Sequence, residues 1–66
     1  MDNKEIVEKV KVGDIIEATY GVFKVVKIEK LYDPFTLKEH KGILVDFNGY
    51  ERMVRNEDIT RIVESK

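Results

Sequence analysis

The chain contains no cysteine, one histidine (His40), one proline (Pro34) and one serine (Ser65). Without cysteine, a disulfide framework and a thiolate metal site are both excluded. Nucleophilic catalysis needs a nucleophile, a base and an orienting group within hydrogen-bond reach. A single serine beside the C-terminal residue and a single histidine do not supply such a set, so no enzyme is expected. Asp33, Glu39 and His40 fall within one segment, yet a lone histidine among charged residues is ordinarily solvated. No metal site and no cofactor are therefore expected. No apolar run approaches the length of a membrane span, and no apolar secretory segment follows Met1. The expectation is a soluble, cytoplasmic protein with no membrane partner. Charge of one sign is also lacking: 12 Lys and Arg stand against 13 Asp and Glu, for a net charge of -1. Nothing in that balance demands a polyanion, although balanced totals can hide a basic face.

What is present is enough for one small domain. The 66 residues are 42% hydrophobic and 38% charged, too apolar and too mixed in charge for a disordered tail. Asp2 or Asn3 can cap a short helix with Ile6, Val7 and Val10 on one face. From Glu8 the pattern turns to alternation, Val10 and Val12 between Lys9 and Lys11, which reads as strand. In "DIIEATYG", Ile16, Ala18 and Tyr20 share one face of a half-buried strand. "VFKVVKIEKLY" is a second strand whose alternation slips at Val25-Val26, the mark of a β-bulge. Asp33-Pro34 opens an irregular segment, "DPFTLKEHKG", in which Thr36 to Glu39 fits a capping box and one turn of helix. "ILVDF" and "YERMV" are strands joined by Asn48-Gly49, a strong hairpin dipeptide. Asn56 is a plausible cap in the turn before the last strand, "ITRIV". There are no repeats and no linker. Five short strands at close spacing argue for a small antiparallel barrel.

Three motifs occur in a familiar order. "VGDIIEATY" resembles the opening strand of a Tudor domain, "VDFNGYE" its third-to-fourth strand hairpin, and "NEDITRI" its closing turn and fifth strand. The similarity runs from about Val12 to Ile62. It implies an all-β, five-stranded SH3-like (Tudor-like) barrel over residues 12–66, preceded by a short N-terminal extension over residues 1–11. Tudor domains often hold methylated Arg or Lys in an aromatic cage, where a cation sits over ring faces. The resemblance carries that role to Tyr20, Phe47 and Tyr50, with Phe23 a looser match. Two departures stand out. The loop after the first strand is shortened to about Gly21, and Glu51-Arg52 replace the polar residue that commonly follows the hairpin tyrosine. Parity also matters. Phe47 shares a face with Ile43 and Val45, so turning it outward would drive Asp46 inward, and a buried unpaired carboxylate is costly. Phe47 is therefore expected in the core.

The expected function is that of a non-catalytic binding module of an accessory protein: an adaptor, regulator or inhibitor. A protein partner is expected to meet Tyr20, Tyr32, Phe35, Tyr50 and Arg52. Phe35 and Leu37 carry two readings, anchors for a partner or a cap folded over the open end of the barrel. The alternative is a nucleic-acid-binding regulator using Lys24, Lys27, Lys30, Arg52 and Arg55, with aromatic rings as stacking platforms. The plainer reading of those lysines is a solvated sheet face interleaved with Glu29 and Asp46. A Tudor-type methyl-Arg or methyl-Lys reader is a third reading.

Overall fold

Asn3–Lys9 form a short helix, α1, in a computed structural model that describes residues 3–66. The candidate cap Asp2 lies outside the described residues. Asn3, the other candidate, sends its side-chain amide across the fold to the carbonyl of Ile59. A seven-residue helix is not stable alone in water. It persists here because Ile6 and Val7 are buried, as is Val10 just beyond its end. Its C-terminus is closed from another element: the Lys41 ammonium donates to the carbonyls of Val7, Glu8 and Val10 at 3.2, 2.8 and 3.3 Å. A cation there satisfies orphan carbonyls and complements the helix dipole.

The expected strand at Val10 and Val12 does not form. Val10 is core, while Val12 is exposed in a turn. The cause is Asp14, a fully buried aspartate whose carboxylate accepts the N–H groups of Lys11 and Lys66, both at 2.9 Å. That bond folds the Lys11–Asp14 segment back on itself, and Gly13, at φ +98°, permits the reversal. One carboxylate thus ties the entry to the sheet to the chain's last residue.

The sheet has five antiparallel strands: β1 (Ile15–Ala18), β2 (Gly21–Asp33), β3 (Lys38–Phe47), β4 (Tyr50–Val54) and β5 (Ile59–Glu64). A 3-10 turn at Asn56–Asp58 precedes β5. The hydrogen-bonded order is β4-β3-β2-β1-β5. The all-β expectation holds, but no ladder joins β4 to β5, so the sheet is open. β2 is shared by its two halves: its first residues pair with β1 and the rest with β3. The slip at Val25-Val26 is a bulge. Val25 pairs with Val45 and Lys27 with Leu44, leaving Val26 as the extra residue. The bulge inverts parity along β2, so Ile28 comes opposite Ile43.

The core is aliphatic: Ile16, Val25, Ile43, Val45, Val54 and Ile59 join the three residues of the α1 segment and Ala18, with Phe23, Ile28 and Ile62 packed at its margin. Two expected positions differ. β1 ends at Ala18, so Tyr20 falls in the following turn and is half exposed. Phe47 retains 37% of its surface exposed. It does share the face of Ile43 and Val45, but it is the last residue of β3, beyond the point where other elements cover that face. The Asn48-Gly49 turn is as read: both residues have positive φ, and Phe47 pairs with Tyr50 across it. Asn56 is not a cap. Arg55 occupies the cap position, and the Asn56 amide donates to the Lys41 carbonyl at 3.0 Å.

The segment expected to be irregular is mostly strand. β2 runs to Asp33 and β3 begins at Lys38, so only four residues form the loop. The Thr36–Glu39 capping box is replaced by bonds to Asp33. Its carboxylate accepts the Phe35 N–H at 2.8 Å, and its carbonyl accepts the Leu37 N–H at 2.9 Å. Leu37 then sits at φ +58°. The result is a two-stranded arm that projects beyond the core.

Candidate functional site

Two surfaces collect the candidate residues, and they lie at opposite ends of β3. The arm tip adjoins Lys38, and the Asn48-Gly49 turn adjoins Phe47. Ten residues of strand at ~3.3 Å each separate the two by about 30 Å. Tyr32 and Phe35 therefore do not share a surface with Tyr20, Tyr50 and Arg52.

At the arm tip, Phe35 is 95% exposed, Leu37 72% and Tyr32 60%. They fold back over nothing, so the cap reading of Phe35 and Leu37 is overturned. The reason is register. The β2–β3 ladder is continuous from Ile28–Ile43 to Asp33–Lys38, which carries the loop away from the open sheet. The tip is nonetheless held in shape. The Phe35 amide keeps the Asp33 carboxyl below its ordinary pKa of 3.8, because a hydrogen bond to the charged form favours it.

At the other end, aromatic rings form a row. Tyr20 and Phe23 have centroids 5.7 Å apart, and Phe23 and Phe47 5.9 Å, both tilted. The guanidinium of Arg52 lies 5.2 Å from the centroid of Phe47. This contact follows from the hairpin: Phe47 opposite Tyr50 and Val45 opposite Arg52 put Arg52 diagonal to Phe47 on the same face. The sequence reading missed the pair, although the Asn-Gly turn and the two-residue period imply it. The ring face that a cationic guest would use is covered by the chain's own arginine. Tyr50, 76% exposed, stands beside it. Among the described residues no carboxylate pairs with Arg52.

The five cations of the nucleic-acid reading are not brought together. The bulge puts Lys24 and Lys27 on the outer face of the sheet and Lys30 on the other. Lys27 pairs with Glu29 at 3.0 Å, and Glu29 raises the pKa of Lys27 through that bond. Lys30 lines a cleft of about 560 Å³ between α1, the base of the arm and the 3-10 turn, among Glu8, Glu39 and Glu57. Arg55 bonds Glu57, which raises its pKa, and Asp58 lies 3.9 Å away. Among the described residues Lys24, Lys30 and Arg52 make no ion pair, while Lys27 and Arg55 do.

Among the described residues no group of three or more His, Asp or Glu is arranged to hold a metal ion, and no helix is long and apolar enough to cross a membrane. The polar side chains held in fixed geometry are bound to main chain: Asp14, Asp33, Lys41 and Asn56. No family model, curated protein or solved structure matches this chain.

Proposed function

We propose that this chain is a non-catalytic protein-binding module of SH3-like type, an adaptor or regulator that docks through the tip of the β2–β3 arm. One observation carries the reading. Phe35 and Leu37 are displayed, nearly uncovered, at the end of an arm whose geometry the Asp33 bonds define. Displaying an apolar group forgoes ~25 cal/mol per Å² of burial, and large apolar groups held out on a rigid scaffold are the usual anchors of protein interfaces. The five antiparallel strands in the order β4-β3-β2-β1-β5, with β2 spanning both halves, support the SH3-like reading. The protein partner is favoured over nucleic acid because the candidate cations are dispersed over both faces of the sheet, and Lys27 and Arg55 are paired with acids.

The test is site-specific cross-linking in cells. A photoreactive aromatic analogue in place of Phe35 should give discrete adducts with one protein. The same group in place of Lys24, on the outer face, should not. With that protein purified, Phe35→Ala should weaken binding at least about tenfold, as loss of a central anchor does, without shifting the unfolding midpoint. Equal adducts from both positions, or none from position 35, would remove the arm as the docking surface.

A further inference from the structure

The second surface has features the arm does not explain. β4 is an edge strand, paired on one side only, by β3. An edge of this kind offers unpaired main-chain groups to any extended segment. Along β4, Tyr50 and Arg52 project from one face, two residues apart, and both are exposed. Side chains of an added strand would fall opposite them in the same two-residue rhythm.

Arg52 sets the chemistry. The guanidinium lies over the Phe47 ring, 5.2 Å from its centroid, and a guanidinium can donate two parallel hydrogen bonds to a carboxylate. Tyr50 beside it suits an apolar or aromatic cross-strand neighbour. We propose that β4 takes an extended, acidic segment of a protein partner as a sixth strand, with a carboxylate opposite Arg52 and an apolar side chain opposite Tyr50. This inference rests on the reading of the chain as a protein-binding module, but not on the arm.

Two other occupants fit less well. A second copy paired β4 to β4 about a two-fold axis normal to the sheet sets Arg52 against Arg52 in the one register that pairs all of Tyr50–Val54, and like charges directly opposite are unfavourable. A nucleic-acid strand needs several phosphate contacts. This end of the molecule offers one unpaired arginine, with Glu51 next to it in sequence and Arg55 already bound to Glu57.

The experiment selects random peptides displayed on phage against the intact protein. Enriched peptides should carry Asp or Glu two residues from an aromatic or aliphatic residue, and their binding should protect the amides of Tyr50–Val54 from exchange. Arg52→Glu should weaken them at least about tenfold and, in a fresh selection, favour Lys or Arg at the same place. Should that variant unfold, Arg52→Gln gives the same loss without the reversal. Four results would overturn the proposal: no enrichment, enrichment without an acidic position, indifference to the Arg52 variants, or protection mapped to Phe35 in place of β4. Peptide displaced by single-stranded oligonucleotide in a salt-dependent way would assign the edge to nucleic acid. Concentration-dependent self-association that protects β4 without peptide would assign it to a second copy. Protection at Phe35 would leave the arm reading standing, and a failed cross-link at Phe35 would leave this one standing.

Discussion

Asp14 shows how one residue can set the shape of a chain end. Its buried carboxylate serves two main-chain donors more than fifty residues apart in sequence. Asp14→Ala removes both bonds, and a hydrogen bond to a charged group contributes about 1.5–3 kcal/mol. Urea unfolding should therefore show a loss of about 2 kcal/mol or more, with Asp14→Asn losing less because one amide oxygen still accepts. Asp33 gives a pH signature at the same scale. Its folded pKa lies below 3.8, held there by the Phe35 amide. The stabilisation is thus present above the unfolded value and is lost as pH falls through the lower, folded one. The Phe35 amide resonance should titrate with a midpoint below 3.8 while core amides stay still. A midpoint at or above that value would mean the Asp33–Phe35 bond does not persist in solution.

At the scale of elements, the helix and the hairpin turn illustrate two kinds of dependence. α1 is kept by groups foreign to it, above all the Lys41 ammonium on the carbonyls of Val7 and Glu8 and on that of Val10 just past its end. Lys41→Met keeps much of the aliphatic stem and removes the donor. Hydrogen exchange of α1 amides should then accelerate several-fold, corresponding to about 1 kcal/mol of lost helix-terminal interaction, with β3 exchange little changed. The Asn48-Gly49 turn depends only on its own backbone. Gly49 has φ +87° and open space around it, so Gly49→Ala meets no clash and suffers only the left-handed backbone cost, about 1 kcal/mol. Chemical denaturation should read that loss without change in the sheet's cross-strand contacts. The turn was legible as a dipeptide because its conformation is local. The arm was not. Asp33-Pro34 and Thr36 carry turn and cap signals that hold for a helix start as well as for a hairpin loop, and only pairing of Lys38–Gly42 with β2 decides between them.

For the whole molecule, stability and display pull in different directions. A chain of this length has roughly 3–10 kcal/mol to lose, and its core is a single aliphatic cluster. Ile43→Ala, at the centre of the sheet, should cost about 2–5 kcal/mol and unfold much of the population at modest temperature. Phe35→Ala should leave the unfolding midpoint unchanged. The two together separate residues that hold the fold from residues it presents. The dispersed cations make a further prediction at this scale. Fluorescence anisotropy with mixed single- and double-stranded nucleic acid should show no binding at physiological salt, and steeply salt-dependent binding would restore the nucleic-acid reading.

The sequence by itself determined the number and order of the strands, the bulge at Val25-Val26, the Asn-Gly hairpin and most of the core, because alternation and turn chemistry act over a few neighbouring residues. Tertiary structure decided the rest. Whether Phe47 is covered depends on where β3 outruns the elements above it. Whether Phe35 and Leu37 cap the sheet or leave it depends on how far the β2–β3 ladder continues. Each is a matter of register or length set by partners distant in sequence, and no local pattern encodes it.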